Sequence, residues 1–134
     1  MTRVYLVTGA PCSGKSTYVK ANMSKGDLVF DLDEIVKALS FGKLHDNNPM
    51  LIDYALEIRD LILYKLETEQ DIDTAWIIAT NIKNILNQNY FIDFEIIEIN
   101  TGEQECMRRL QENPNGRDEE EIKNVIQRYF QNKA

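Results

Sequence analysis

The stretch Gly9-Ala10-Pro11-Cys12-Ser13-Gly14-Lys15-Ser16 constrains this chain more than any other. It satisfies the pattern G-x-x-x-x-G-K-[ST] at every fixed position, and each fixed residue has a physical task. Gly9 and Gly14 permit backbone angles and a closeness of approach that a side chain would block. The backbone N–H groups of such a loop turn inward as an anion nest. Lys15 has the reach for β- and γ-phosphates, the Ser16 hydroxyl suits Mg²⁺, and a helix starting behind the loop adds its positive end. The pattern arises by chance in roughly one chain of this length in two hundred, so its setting has to decide. A short β-rich apolar run (4–8) precedes it, and a helical segment of about 15–24, closed by Gly26, follows. Gly9, Ala10, Pro11, Cys12, Ser13, Gly14, Lys15, Ser16 and Thr17 are therefore expected to cradle a nucleotide, ATP with Mg²⁺. The competing reading is a glycine-rich turn between strand and helix.

Strands alternate with helices along the rest of the chain. Strands are expected at 28–30, 75–80 and 94–99, the last with broken alternation that suits a sheet edge. Helices are expected at about 34–40, 50–69, 103–112 and 118–131, with a short one after Asn81. In the longest, Leu51, Ala55, Ile58, Ile62 and Leu66 recur at helical spacing, and in the last Ile122, Val125, Ile126, Tyr129 and Phe130 form a stripe. This order predicts an α/β, three-layer fold: a mainly parallel sheet of four or five strands with helices on both faces. With 134 residues and no linker or repeat, one domain spanning 1–134 is expected. Within it, 41–70 would form a helical acceptor-side insert and 108–118 a lid.

In an open α/β sheet a ligand sits beyond the carboxyl ends of the strands. Asp31 and Asp33 follow the second strand on that side. A carboxylate there can take a proton from a substrate hydroxyl or hold Mg²⁺ through water, so Asp33 is a candidate base and Asp31 a candidate metal residue with Ser16. Asp33 is also a candidate helix cap. Asp71 and Asp73 precede the third strand and are expected at the far end, as solvated turn residues. That strand carries no acid at its carboxyl end; Thr80 or Asn81 would position water or substrate there, or Asn81 would cap a helix. Arg108, Arg109 and Arg117 surround the turn at 113–116. Arginine matches phosphate oxygens and stays charged, so Arg109 first and Arg117 second are expected on the donor phosphates. Ordinary pairing of Arg108 or Arg109 with Glu105 or Glu112 is the alternative. His45 and Asp46 would line an acceptor pocket or simply occupy a surface loop, and Arg59 is equally open.

The net charge of −7 and pI near 4.7 oppose a broad nucleic-acid face, since such faces are basic. No apolar run reaches the roughly 18 residues of a membrane span, and the first residues form no signal-peptide core, so a cytoplasmic location is expected. Cys12 and Cys106 point to neither a disulfide scaffold nor a zinc site and are expected as free thiols.

Taken together, the loop at 9–17 and the Asp31-Leu32-Asp33 triplet resemble the small P-loop kinases of the polynucleotide-kinase type, with zeta-toxin-like kinases as more distant relatives. The chain also resembles short P-loop proteins encoded by phages. The resemblance implies a kinase in which Asp33 is the general base on the acceptor hydroxyl and Arg109 and Arg117 contact the donor phosphates. That family usually has an Asp near the end of the third strand, where this chain reads Ala79-Thr80-Asn81. The leading expectation is an ATP–Mg²⁺ phosphotransferase, with ATP and an unidentified small acceptor or nucleic-acid end as its partners. An accessory or switching NTPase and a non-catalytic nucleotide sensor are the alternatives.

Overall fold

The computed structural model describes residues 2–42, 48–114 and 118–133. Its elements run β1 (Arg3–Gly9), α1 (Lys15–Asn22), β2 (Leu28–Asp31), α2 (Leu32–Ser40), α3 (Pro49–Thr68), β3 (Thr74–Ile78), α4 (Lys83–Leu86), β4 (Phe94–Ile99), α5 (Glu103–Glu112) and α6 (Glu119–Lys133). The four strands form one sheet in the order β2-β3-β1-β4, and all neighbours are parallel. The expected α/β architecture holds, with four strands among the described residues. Parallel pairing needs a long crossover between neighbours, which is why each strand is followed by helix.

Strand alternation sorts the apolar side chains onto two faces. Val4, Leu6, Phe30, Ala75 and Ile77 turn to one face, where Leu63 and Leu66 of α3 and Ile85 of α4 complete the largest core cluster. Val7, Trp76 and Ile78 turn to the other, against Val19 of α1. There Trp76 stacks on Tyr5 with ring centroids 4.5 Å apart and donates its indole N–H to Asp27 Oδ2 at 2.9 Å. A third cluster, Ala10, Cys106, Leu110 and Ile126, packs α5 and α6 against the loop after β1. That cluster matters for function, because it sets α5 beside the glycine loop.

β4 is an edge strand, as its broken alternation implied; Ile96 is half exposed there. Asp73 lies at the opposite end of the sheet from the loop, its carbonyl accepting the Arg3 N–H at 2.8 Å. Two boundaries at the carboxyl ends of the strands differ from the sequence reading. α2 begins at Leu32 rather than near residue 34, because Asp31 supplies the N-cap: its Oδ1 accepts the Asp33 N–H at 3.1 Å. β3 ends at Ile78, so Ala79, Thr80 and Asn81 lie past the strand.

Candidate active site

The loop between β1 and α1 is held from three sides. At its start Gly9 ends β1, in register with Ile99 of β4. A Cβ on Gly9 would stand 2.7 Å from Ser13 Oγ and 2.9 Å from the Ile99 carbonyl oxygen, so no side chain fits. The Ser13 N–H bonds back to the Ala10 carbonyl at 3.1 Å, closing a tight turn over Pro11 and Cys12. Cys12 and Gly14 take positive φ of 65° and 99°. Glycine adopts that region at no cost; Cys12 adopts it at a steric penalty, in a loop whose turn leaves no extended alternative. From below, the Thr101 hydroxyl donates to the Ser13 carbonyl at 2.7 Å. Beside it, the Thr8 hydroxyl donates to the Thr80 carbonyl at 3.1 Å and fixes the segment past β3.

Lys15 opens α1 and folds back across the loop. Its Nζ donates to the carbonyls of Gly9 at 2.9 Å and Ala10 at 2.8 Å. Burial lowers its pKa from 10.5 to about 8; the Asp33 carboxylate is the largest opposing influence. The site thus holds a cation at a cost that an anion among the loop N–H groups would offset.

Ser16, one residue on, donates its hydroxyl to Asp31 Oδ2 at 2.6 Å. One carboxylate therefore ties the start of α1 to the start of α2: Oδ2 takes Ser16 and Oδ1 caps α2. Asp33 was a candidate cap in the sequence, and the structure gives the cap to Asp31. The cause is register. With β2 ending at Asp31, the capping position falls on the last extended residue, and Asp33 enters the first helical turn. Asp31 and Asp33 accordingly do not share one extended segment, though Asp33 remains close enough to Lys15 to act on its charge.

Arg109, on α5, reaches over the loop. Its Nη1 donates to the Cys12 carbonyl at 3.2 Å and its Nε to Glu105 Oε1 at 3.1 Å. A Cβ on Gly14 would lie 3.4 Å from the same Nη1. Arg108 instead directs its guanidinium to Glu105 and Glu112, an ordinary exposed pairing. Glu105 accepts from both arginines, chiefly Arg108, which hold its carboxyl down to about 2.

Several sequence candidates fall elsewhere. Asn81 stands one residue before Ile82, the N-cap of α4, and its Oδ1 accepts the Lys83 N–H at 3.0 Å. Arg59 sits on the core side of α3 with its side chain 12% exposed and Nε 3.8 Å from Asp60 Oδ1. Arg117, His45 and Asp46 lie outside the described residues. Cys12 and Cys106 are free thiols, Cys106 fully buried. Thr8, Thr101 and Glu105 were missed as supports of the site. Only Glu105 left a trace in the sequence, its i,i+4 spacing to Arg109. No group of three or more His, Cys, Asp or Glu side chains suited to a metal occurs among the described residues. Ser16 and Asp31 nonetheless present a hydroxyl and a carboxylate side by side, the hard oxygen donors that Mg²⁺ takes together with water and phosphate.

No protein-family model matches the sequence, and no curated protein matches it. Solved structures do match in fold. One is a chain of the Pnkp1/Rnl/Hen1 RNA repair complex, at TM-score 0.74 and 16% identity, covering 98% of this chain and 45% of that one. A chain of a second Pnkp1/Rnl/Hen1 structure matches at TM-score 0.61 and 18% identity, covering 81% of this chain and 39% of that one. TT1252 from Thermus thermophilus matches at TM-score 0.55 and 16% identity, covering 92% of this chain and 78% of that one. The chain thus spans less than half the length of the first two. At these identities the likeness is one of fold, a parallel α/β sheet flanked by helices.

Proposed function

We propose that this chain is an ATP–Mg²⁺-dependent phosphotransferase that moves the γ-phosphate to a hydroxyl or phosphate of a small acceptor or of a nucleic-acid 5′ end. The observation that carries the proposal is the convergence of Lys15, Ser16, Asp31, Asp33 and Arg109 on one glycine loop at the carboxyl edge of a parallel sheet. The setting of the fold neighbours in an RNA repair complex favours a nucleic-acid end among the acceptors.

In this reading the loop N–H groups and Lys15 grip the β- and γ-phosphates, Lys15 exchanging its bonds to the Gly9 and Ala10 carbonyls for phosphate oxygens. Ser16 and Asp31 would hold Mg²⁺, which would supply charge neutralisation to the phosphates. Asp33 takes the proton of the acceptor hydroxyl as its oxygen bonds the γ-phosphorus and the bond to the ADP oxygen breaks. Arg109 turns from the Cys12 carbonyl to the transferring group, where its fork meets developing negative charge. Glu105 positions it.

A second reading, a nucleotide sensor with little turnover, is favoured by Ala79-Thr80-Asn81, which puts no carboxylate past β3. The two are separated by measuring ADP production from ATP–Mg²⁺ with and without 5′-hydroxyl oligonucleotides, nucleosides, nucleoside monophosphates and small metabolites. A rise with one acceptor class supports the kinase and identifies its substrate. Measurable ATP binding with no turnover under any acceptor overturns it in favour of the sensor.

A further inference from the structure

α3 carries more apolar surface than the fold uses. One side packs onto the sheet through Ala55, Ile58, Ile62, Leu63 and Leu66. The opposite side presents Met50, Tyr54, Leu61 and Tyr64, exposed to 71, 61, 58 and 58%. Scattered apolar residues on a surface need no explanation, but these are in register. Positions 50, 54, 57, 61, 64 and 68 alternate in steps of four and three, the spacing that keeps one stripe of a helix facing a second helix wound against it. Glu57 and Thr68 are its polar members. At 1.5 Å per residue the row is about 27 Å long.

The charges beside the stripe choose the occupant. Asp53, Asp60 and Glu67 stand seven residues apart along one flank, Asp60 with Arg59 Nε 3.8 Å away and Glu67 accepting the Phe91 N–H, and exposed Glu57 lies within the row. The other flank offers Ile58, which turns to the core, and Lys65, which pairs with Glu69 at 3.5 Å. A second copy laid antiparallel would set acid flank against acid flank. A parallel copy would need the flank that the body of the protein already covers. We infer that the exposed stripe of α3 is a docking surface for an amphipathic helix of another protein, with an apolar face and a flank rich in lysine or arginine. The inference does not depend on the kinase reading.

The test uses two labelled synthetic helices of about three heptads with identical leucine stripes, one flanked by lysine and one by glutamate. Fluorescence anisotropy at 150 mM salt should show saturable binding of the basic helix and none of the acidic one. Leu61→Ser and Tyr54→Ser, both at exposed positions, should each weaken binding by about tenfold or more while ATP binding stays unchanged. Asp53→Lys combined with Asp60→Lys should reverse the preference between the two helices. The inference is overturned by failure of the basic helix to bind, by equal binding of both helices, or by indifference to both serine variants. Sedimentation showing that the protein pairs with itself, and that Leu61→Ser disperses the pair, would assign the stripe to a second copy and overturn it as well.

Discussion

Asp31 has two structural duties that two substitutions separate. Asp31→Ala removes the cap of α2 and the Ser16 bond together. A lost cap costs about 1 kcal/mol, and a hydrogen bond to a partly buried carboxylate contributes about 1 more. Their sum of about 2 kcal/mol corresponds to a fall in melting temperature of about 6–10 °C for a domain of this size. Asp31→Asn keeps an amide oxygen for the Asp33 N–H, and its NH₂ can donate to Ser16 Oγ, so melting should fall by less than about 4 °C. What Asn cannot supply is charge. If Asp31 helps hold Mg²⁺, the Mg²⁺ concentration needed for half-maximal ADP production should rise about tenfold in Asp31→Asn, with the fold intact. The assay pairs thermal melting of the nucleotide-free protein with a Mg²⁺ titration of turnover. An Asn variant that melts as low as the Ala variant refutes the capping account. An unchanged Mg²⁺ requirement refutes the metal role.

Asp33→Ala should leave ATP affinity unchanged and lower phosphoryl transfer by roughly a hundredfold or more, the loss expected of a general base; near-normal transfer in single-turnover kinetics would remove Asp33 from the mechanism. Lys15, whose pKa is lowered by burial to about 8, is half neutral in the free protein at that pH, while bound phosphate favours its charged form. ATP binding should therefore take up a proton and weaken as pH rises through 8, an effect that calorimetry in buffers of different ionisation enthalpy would detect and that Lys15→Met should abolish. The same depression makes this lysine's contribution to stability increase between pH 8 and 10.5, where the unfolded chain still binds the proton. Arg109→Ala should reduce transfer by tenfold or more, about 1.4 kcal/mol or above, whereas Arg108→Ala, which loses only exposed pairs, should change turnover and melting little. Equal effects of the two would contradict the assignment of Arg109 to the loop.

Much of the fold was legible because its signals are local. The apolar runs, the glycine loop and the order of strand and helix need only neighbouring residues to be read, and Lys15 and Ser16 follow from spacing alone. The edge position of β4 was legible for the same reason, since a strand covered on fewer sides tolerates Glu95 and Glu98. Local signals could not choose between the two acids after β2. Either is a good cap by type, and only the hydrogen-bonded end of the strand at Asp31 decides which one is used and leaves Asp33 in the helical turn beside Lys15. Nor could they tell Arg108 from Arg109. Both sit on one solvated helix within reach of Glu105, and the third core cluster, by packing α5 against the loop, turns Arg109 to the Cys12 carbonyl and leaves its neighbour in solvent. The exposed row on α3 was hidden for a related reason. Its apolar residues are of the same kinds as the core's, and which side of a helix meets the sheet is fixed by packing at long range, not by the periodicity that reveals the helix.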